Sequence, residues 1–212
     1  MSEKYKILCG EGVRLIMQKN FDFEIWQRFR RGDEKAFSYI FDTYHLQLFE
    51  YGRRFTVNEE LVRDSIQDLF FELASKKDKL SPTDNILFYL LKSLRIRIFG
   101  NLRKNKNHSI EVKTELTDEF FLSYATDSDQ LEKEFRLDLL AEAVNQLPAR
   151  QKETIYLKFY KNLSNAEVAE VMQVNYQSVA NNIQKAIHKL KSILQSDSDS
   201  IILFFQRYLR KC

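Results

Sequence analysis

The chain has 212 residues, 44% of them hydrophobic and 30% charged, and its 33 Lys and Arg against 30 Asp and Glu leave a net charge of +3. That length allows one large domain or two small ones, and a charge so near zero excludes binding nucleic acid by bulk positive charge, so any such affinity must come from locally concentrated cations. Five Gly and two Pro leave few breaks for strands and hairpins and predict an all-α chain.

Cys9 and Cys212 stand at opposite ends without C-x-x-C spacing, and His45, His108 and His188 are scattered with no second ligand at helical spacing. Neither a disulfide framework nor a metal or cofactor site is suggested. The longest late apolar run, Ile201 to Phe205, is far too short for a membrane span, and no long apolar run follows the early lysines. A reducing, cytoplasmic compartment is expected.

Residues 1–21 read as a loosely packed leader. Gly10 and Gly12 form a lone G-x-G, weak as a phosphate loop without a preceding strand. A clean helical pattern begins only near Phe23, which leaves Met17 as an alternative start. Phe23, Trp26 and Phe29, then Phe37, Ile40, Phe41, Tyr44 and Leu48 after a Gly32-Asp33 turn, recur at threes and fours and predict two helices. Asn58 is suited to cap the next, whose apolar face is Leu61, Ile66, Leu69, Phe70 and Leu73. Asp64, Gln67, Asp68 and Glu72 share another side, either simply solvated or a docking face for a basic partner.

Ser81-Pro82 with Asp84 marks a further helix start, and the helix from Asn85 changes character midway. Its first half is nearly all apolar; its second carries Lys92, Arg95, Arg97, Arg103, Lys104 and Lys106 with no acid from 86 to 107. Phe88, Tyr89 and Phe99 are interleaved. Cations that track a phosphate backbone beside rings that stack an unpaired base are the ingredients of single-strand binding, although Phe88 and Phe99 also suit a core.

Residues 109–134 invert the charge, with Glu111, Glu115, Asp118, Glu119, Asp127, Asp129, Glu132 and Glu134 against Lys113 and Lys133. The stretch reads as an acidic linker able to screen the basic helix. A second helical block, 135–195, follows. Leu137, Leu140, Ala141, Val144 and Leu147 line one helix, and Pro148 starts another that runs through Tyr160. Ser164 with Glu167 makes a capping box for a short helix ending near Met172. Asn175, after Gln173-Val174, caps a second helix with an apolar stripe of Val179, Ile183, Ala186, Ile187, Leu190 and Leu194. Its other face carries Gln177, Asn181, Gln184, Lys185, His188 and Lys189, and no acid occurs from Val171 through Ser196. Such a hairpin is suited to the DNA major groove. The tail, 196–212, reads as a last helix preceded by acids and ended by Arg207, Arg210 and Lys211, as the helix dipole prefers.

The order of these segments resembles a bacterial RNA polymerase sigma factor, in the extracytoplasmic-function group of the sigma-70 family, over roughly residues 23–107 and 135–195. GDEKAFSYIFDTY (32–44) is similar to the opening of the family's region two. DSIQDLFFEL (64–73) resembles its D-x-x-Q-E/D-x-F polymerase-docking motif, and YLLKSLRIRIFGNLRK (89–104) lies over the segment that melts and reads the minus-ten element. LPARQKETIYLKFYKNLSNAEVAEVM with VNYQSVANNIQKAIHKL (147–172 and 174–190) resembles region four, which reads the minus-thirty-five element.

The resemblance implies two small helical domains, regions two (22–108) and four (135–195). It implies polymerase contacts at Asp64, Gln67 and Asp68, and minus-ten contacts at Tyr89, Arg95, Arg97, Asn101, Arg103 and Lys104. Upstream contacts would be Gln177, Ser178, Asn181, Asn182, Gln184, Lys185 and Lys189. The implied partners are core RNA polymerase through its clamp helices and flap, promoter DNA and an anti-sigma factor, with no catalysis and no small-molecule substrate. Tyr89 stands where the family usually has Trp, Arg95-Ile96 replaces Arg-Asn, Gly100 replaces Asp, and Ala180-Asn181-Asn182 replaces a Lys-Ser-Arg run. Neutral amides there suit adenine edges. Two other readings stay open: a stand-alone helix-turn-helix regulator, and an enzyme acting on nucleic acid, for which no carboxylate cluster is visible.

Overall fold

The computed structural model describes residues 3–105 and 139–194, with side chains described over 17–104 and 139–194. Every regular element among them is helical: α1 (Glu3–Arg30), α2 (Glu34–Gly52), α3 (Glu59–Ser75), α4 (Ile86–Asn105), α5 over 139–145, α6 (Ala149–Ile155), α7 (Asn165–Met172) and α8 (Tyr176–Leu194). A 3-10 turn occupies Lys77–Lys79, and a π-helical turn, Tyr156–Tyr160, prolongs α6. The segments 109–134 and 196–212, expected as linker and tail, lie outside the described residues. The chain divides into two compact units, the first of Met1–Gly52 with Glu59–Asn101, the second of Arg53–Asn58 with Leu102–Cys212.

In the first unit α1 begins at Glu3, well before the apolar periodicity starts near Phe23. No proline interrupts Glu3–Arg30, and Gly10 and Gly12, each costing a helix about 1 kcal/mol, do not stop it. The expected leader is therefore helical backbone continuous with the first amphipathic stretch. Ile25, Trp26 and Phe29 are buried on its inner face, and the Trp26 indole donates to the Ser81 carbonyl at 2.9 Å. Gly32, at φ 91°, turns the chain, and the Asp33 carboxylate caps α2 by accepting from the amides of Lys35 (2.9 Å) and Ala36 (3.2 Å).

Two side chains start α4. Asn85 accepts from the Phe88 amide at 3.0 Å, and Asp22 of α1 accepts from Ile86 at 3.0 Å. Asp84, read from sequence as part of the helix start, instead pairs with Lys19 at 3.0 Å. Leu90, Leu91, Leu94 and Ile98 turn one face of α4 wholly inward, each burial worth roughly 1.5–3 kcal/mol. At Gly52, the last residue of α2, a Cβ would lie 2.5 Å from Val62 Cγ1 and 3.1 Å from Ile98 Cδ1, so only a bare backbone admits α3 and α4 so closely.

The second unit is built on α6 and α8. Val144, Leu147, Ile155, Leu157, Val168, Val171, Val179, Ala186 and Leu190 form its core. Pro148 precedes α6, whose α-helical hydrogen bonding gives way at Tyr156 to the π turn. Asn162, at φ 55°, closes that turn, with Lys161 donating to the Tyr156 carbonyl and Leu163 to that of Leu157, both at 3.0 Å. Ser164 and Glu167 form the reciprocal capping box on α7 at 3.2 and 2.7 Å, Gln173 adopts the left-handed conformation at its end, and Asn175 caps α8 by accepting from Ser178 at 2.7 Å.

Candidate nucleic-acid interface

Three surfaces bear the residues singled out by sequence. On α3, burial of Leu61, Ile66, Leu69, Phe70 and Leu73 turns Asp64, Gln67 and Asp68 outward, where all three are exposed. Phe71 shares that outer side and is 75% exposed, an apolar ring among acids and amides that the sequence reading passed over. The signal was present. Phe71 follows the inward Phe70 by one residue, a step of about 100° around a helix, and so falls off the buried stripe.

Glu72 stands apart from that exposed set. It pairs with Lys76 at 2.6 Å and with Arg97 of α4, and these two cations hold its carboxyl below the usual range. Arg97 is consequently half-buried and engaged with α3. Asn101, one helical turn further, donates to Ser65 Oγ at 3.2 Å, while Ser65 donates to the Leu61 carbonyl at 2.7 Å. Arg97 and Asn101 thus face α3.

The remaining cations of α4 are placed otherwise. Arg103 and Lys104 are exposed, and Arg95, half-buried, lies 4.6 Å from the centre of the Phe99 ring. Lys92 sits 5.7 Å from the Phe88 ring, so both aromatics serve as apolar seats for cations. Tyr89 is half-buried with its ring centre 4.9 Å from that of Trp26, and burial raises its hydroxyl pKa. One edge of the phenol is therefore fixed by the core.

On α8, Val179, Ala186, Ile187 and Leu190 are buried, and Gln177, Asn181, Gln184, Lys185, His188 and Lys189 are exposed on the other side. Asn182 is turned beneath that face, 3.4 Å from Thr154 Oγ1, and Ser178 is half-buried behind its Asn175 cap. Lys189 donates to the Gln146 carbonyl at 2.5 Å, which ties the far end of the face to the turn after α5. Gln177 donates its amide to Asn181 Oδ1 at 3.0 Å. Tyr176, not anticipated, opens α8 at 58% exposure.

Among the described residues no group of three or more His, Cys, Asp and Glu is arranged to hold a metal ion, and no helix is long and apolar enough to cross a membrane.

Comparison with known proteins matches residues 137–190 to the family model of sigma-70, region 4. Over 156 residues the chain is 21% identical to the RNA polymerase sigma factor SigZ of Bacillus subtilis (strain 168), an overlap of 74% of this chain and 85% of that relative. Among solved structures, CnrH in complex with the cytosolic domain of CnrY is similar at a TM-score of 0.52 and 19% identity, covering 83% of this chain and 98% of that one. The sigma factor RpoE bound to the anti-sigma factor NepR from Bartonella quintana is similar at 0.53 and 18%, covering 77% and 99%. At such identities the structural likeness establishes the fold.

Proposed function

We propose that this chain, similar to sigma-70 region 4 over residues 137–190, is a sigma-70 family member of the extracytoplasmic-function group and a dissociable initiation subunit of RNA polymerase. The observation that carries this reading is the coincidence of the region 4 match with the helical hairpin whose second helix presents an acid-free polar face.

In this reading the α3 face of Asp64, Gln67 and Asp68 docks on the clamp helices of core polymerase, with Phe71 supplying apolar area that the carboxylates cannot. Arg95, Arg103 and Lys104 follow the opened non-template strand, and the exposed edge of Tyr89 receives an unpaired base. Arg97 and Asn101, engaged with Glu72 and Ser65, position α4 on α3 instead of reaching DNA. Flipping a base out of a duplex costs a few kcal/mol, and protein pockets that hold it lower the cost. Meanwhile α8 lies in the upstream major groove and fixes the register. A net charge of +3 suits a protein that needs polymerase to hold DNA. An anti-sigma protein is the natural regulator, competing for these surfaces.

Run-off transcription with core polymerase on genomic DNA tests the reading. Promoter-specific transcripts that appear only when the chain is added support it. Tight binding to palindromic duplexes by the purified chain, with no transcripts and no association with core, would instead favour a stand-alone regulator.

A further inference from the structure

Resting on that reading, we infer that Asn181 reads an adenine in the upstream element and that Gln177 is its positioning residue. The two stand one turn apart on the exposed face of α8, joined by the bond from Gln177 Nε2 to Asn181 Oδ1. That bond restrains the Asn181 rotamer, its Oδ1 accepting from Gln177.

An amide fixed this way retains a free lone pair on Oδ1 beside two unused N–H donors on Nδ2. Acceptor beside donor matches adenine in the major groove, whose N6 amino group donates and whose N7 accepts. Guanine offers two acceptors, O6 and N7, and would leave Oδ1 facing one of them. Cytosine and thymine lack the pair altogether. The Gln177 bond lowers the rotamer entropy that Asn181 gives up, a gain realised only when Asn181 is ordered on adenine.

Neighbouring groups leave the role to this pair. Asn182 is turned toward Thr154, Ser178 is half-buried, and Lys189 donates to the Gln146 carbonyl. Gln184 and Lys185 stand one turn further along α8 and are suited to the backbone. Residues at the start of a recognition helix are the ones that reach base edges.

The test uses the full chain with core polymerase on promoters randomised in the upstream element, comparing the wild type with Asn181→Ala, Asn181→Asp and Gln177→Met. Adenine at one position is expected to be favoured by roughly fivefold to 150-fold, the equivalent of about 1–3 kcal/mol. Asn181→Ala should level that preference. Asn181→Asp, acceptor only, should shift it toward cytosine, whose N4 donates. Gln177→Met should weaken the preference several-fold at the same position, whereas a merely structural role would lower transcription from every upstream sequence alike. A preference unmoved by Asn181→Ala, or a uniform loss in Gln177→Met, overturns the inference.

Selection from random duplexes by the purified chain separates this outcome from failure of the wider reading. An adenine preference there that is lost in Asn181→Ala, without any promoter-directed transcription, would sink the polymerase role and keep the pair. Promoters transcribed with core polymerase that show no adenine dependence in the upstream element sink the pair even where transcription succeeds.

Discussion

Asp22 on α1 accepts the backbone amide of Ile86, 64 residues later, and thereby ties the first helix of its unit to the start of α4 at 3.0 Å. The carboxylate is buried and also bonded by Gln18 at 2.7 Å and by Tyr44. The bond closes a long loop and fixes where α4 begins. Asp22→Ala should cost about 1–3 kcal/mol, because a buried amide donor and the Tyr44 hydroxyl both lose their acceptor. Urea denaturation of the two proteins measures it.

Burial raises the Asp22 pKa above its ordinary 3.8, outweighing the hydrogen bonds that pull it down. The folded chain therefore holds this proton more tightly than the unfolded one. Its contribution to stability is fully present below 3.8 and is lost as pH rises through the folded value. Asp22→Asn keeps an acceptor for Ile86 and carries no charge. Urea midpoints followed upward from about pH 4 should fall less steeply for Asp22→Asn than for the wild type. Parallel slopes would mean that Asp22 does not titrate there.

On α3 the charged and apolar parts of the proposed docking face should respond differently to salt. Phe71→Ala should weaken association with core polymerase by roughly tenfold or more, as loss of an exposed aromatic anchor does, with little effect on folding. Asp64→Asn and Asp68→Asn should weaken it chiefly at low ionic strength, because surface charges are screened beyond about 10 Å at 0.1 M salt. Titration of labelled core at two salt concentrations distinguishes them. Equal salt sensitivity of all three variants would remove Phe71 from the interface.

Along α4 the prediction turns on which cations are already engaged. Arg103→Ala and Lys104→Ala should each flatten the dependence of log affinity on log salt for a non-template oligonucleotide by about 0.7 in the polymerase-bound chain. Arg97→Gln should leave that slope nearly unchanged, since its guanidinium is occupied by Glu72. A flattening by about 0.7 in Arg97→Gln as well would return Arg97 to the DNA.

The difference between Arg97 and Arg103 also marks what sequence can and cannot disclose. Local devices were legible: the Ser164–Glu167 box, the Asn175 cap and the apolar stripe of α8 depend on residues within a few positions of one another. Long-range pairings were not. Nothing near Arg97 announces Glu72, 25 residues earlier, and nothing near Asn101 announces Ser65, so both looked like free members of a basic and polar run. The start of α1 was missed for a related reason: apolar periodicity marks a packed face, and helical backbone at Glu3 precedes that pattern. The π turn after Ile155 left no local signal either, since its five residues, YLKFY, carry no breaker.

The two left-handed residues of the second unit supply the last prediction. Gln173 ends α7 at φ 55° and ψ 46°, and Asn162 closes the π turn at φ 55°. For an L-residue with a full side chain that region costs about 1–2 kcal/mol, whereas glycine enters it freely but gives up about 0.5–1 kcal/mol more backbone entropy on folding. Gln173→Gly should therefore raise stability by about 0.5–1 kcal/mol net. Asn162→Gly should gain less, because asparagine enters the left-handed region more readily than glutamine. Urea midpoints of the two variants, each compared with the wild type, give the ordering. A lower midpoint in Gln173→Gly would mean that the exposed glutamine side chain makes a stabilising contact at the turn that outweighs its backbone strain, and that this turn is held by more than its hydrogen bonds to Ala169 and Glu170.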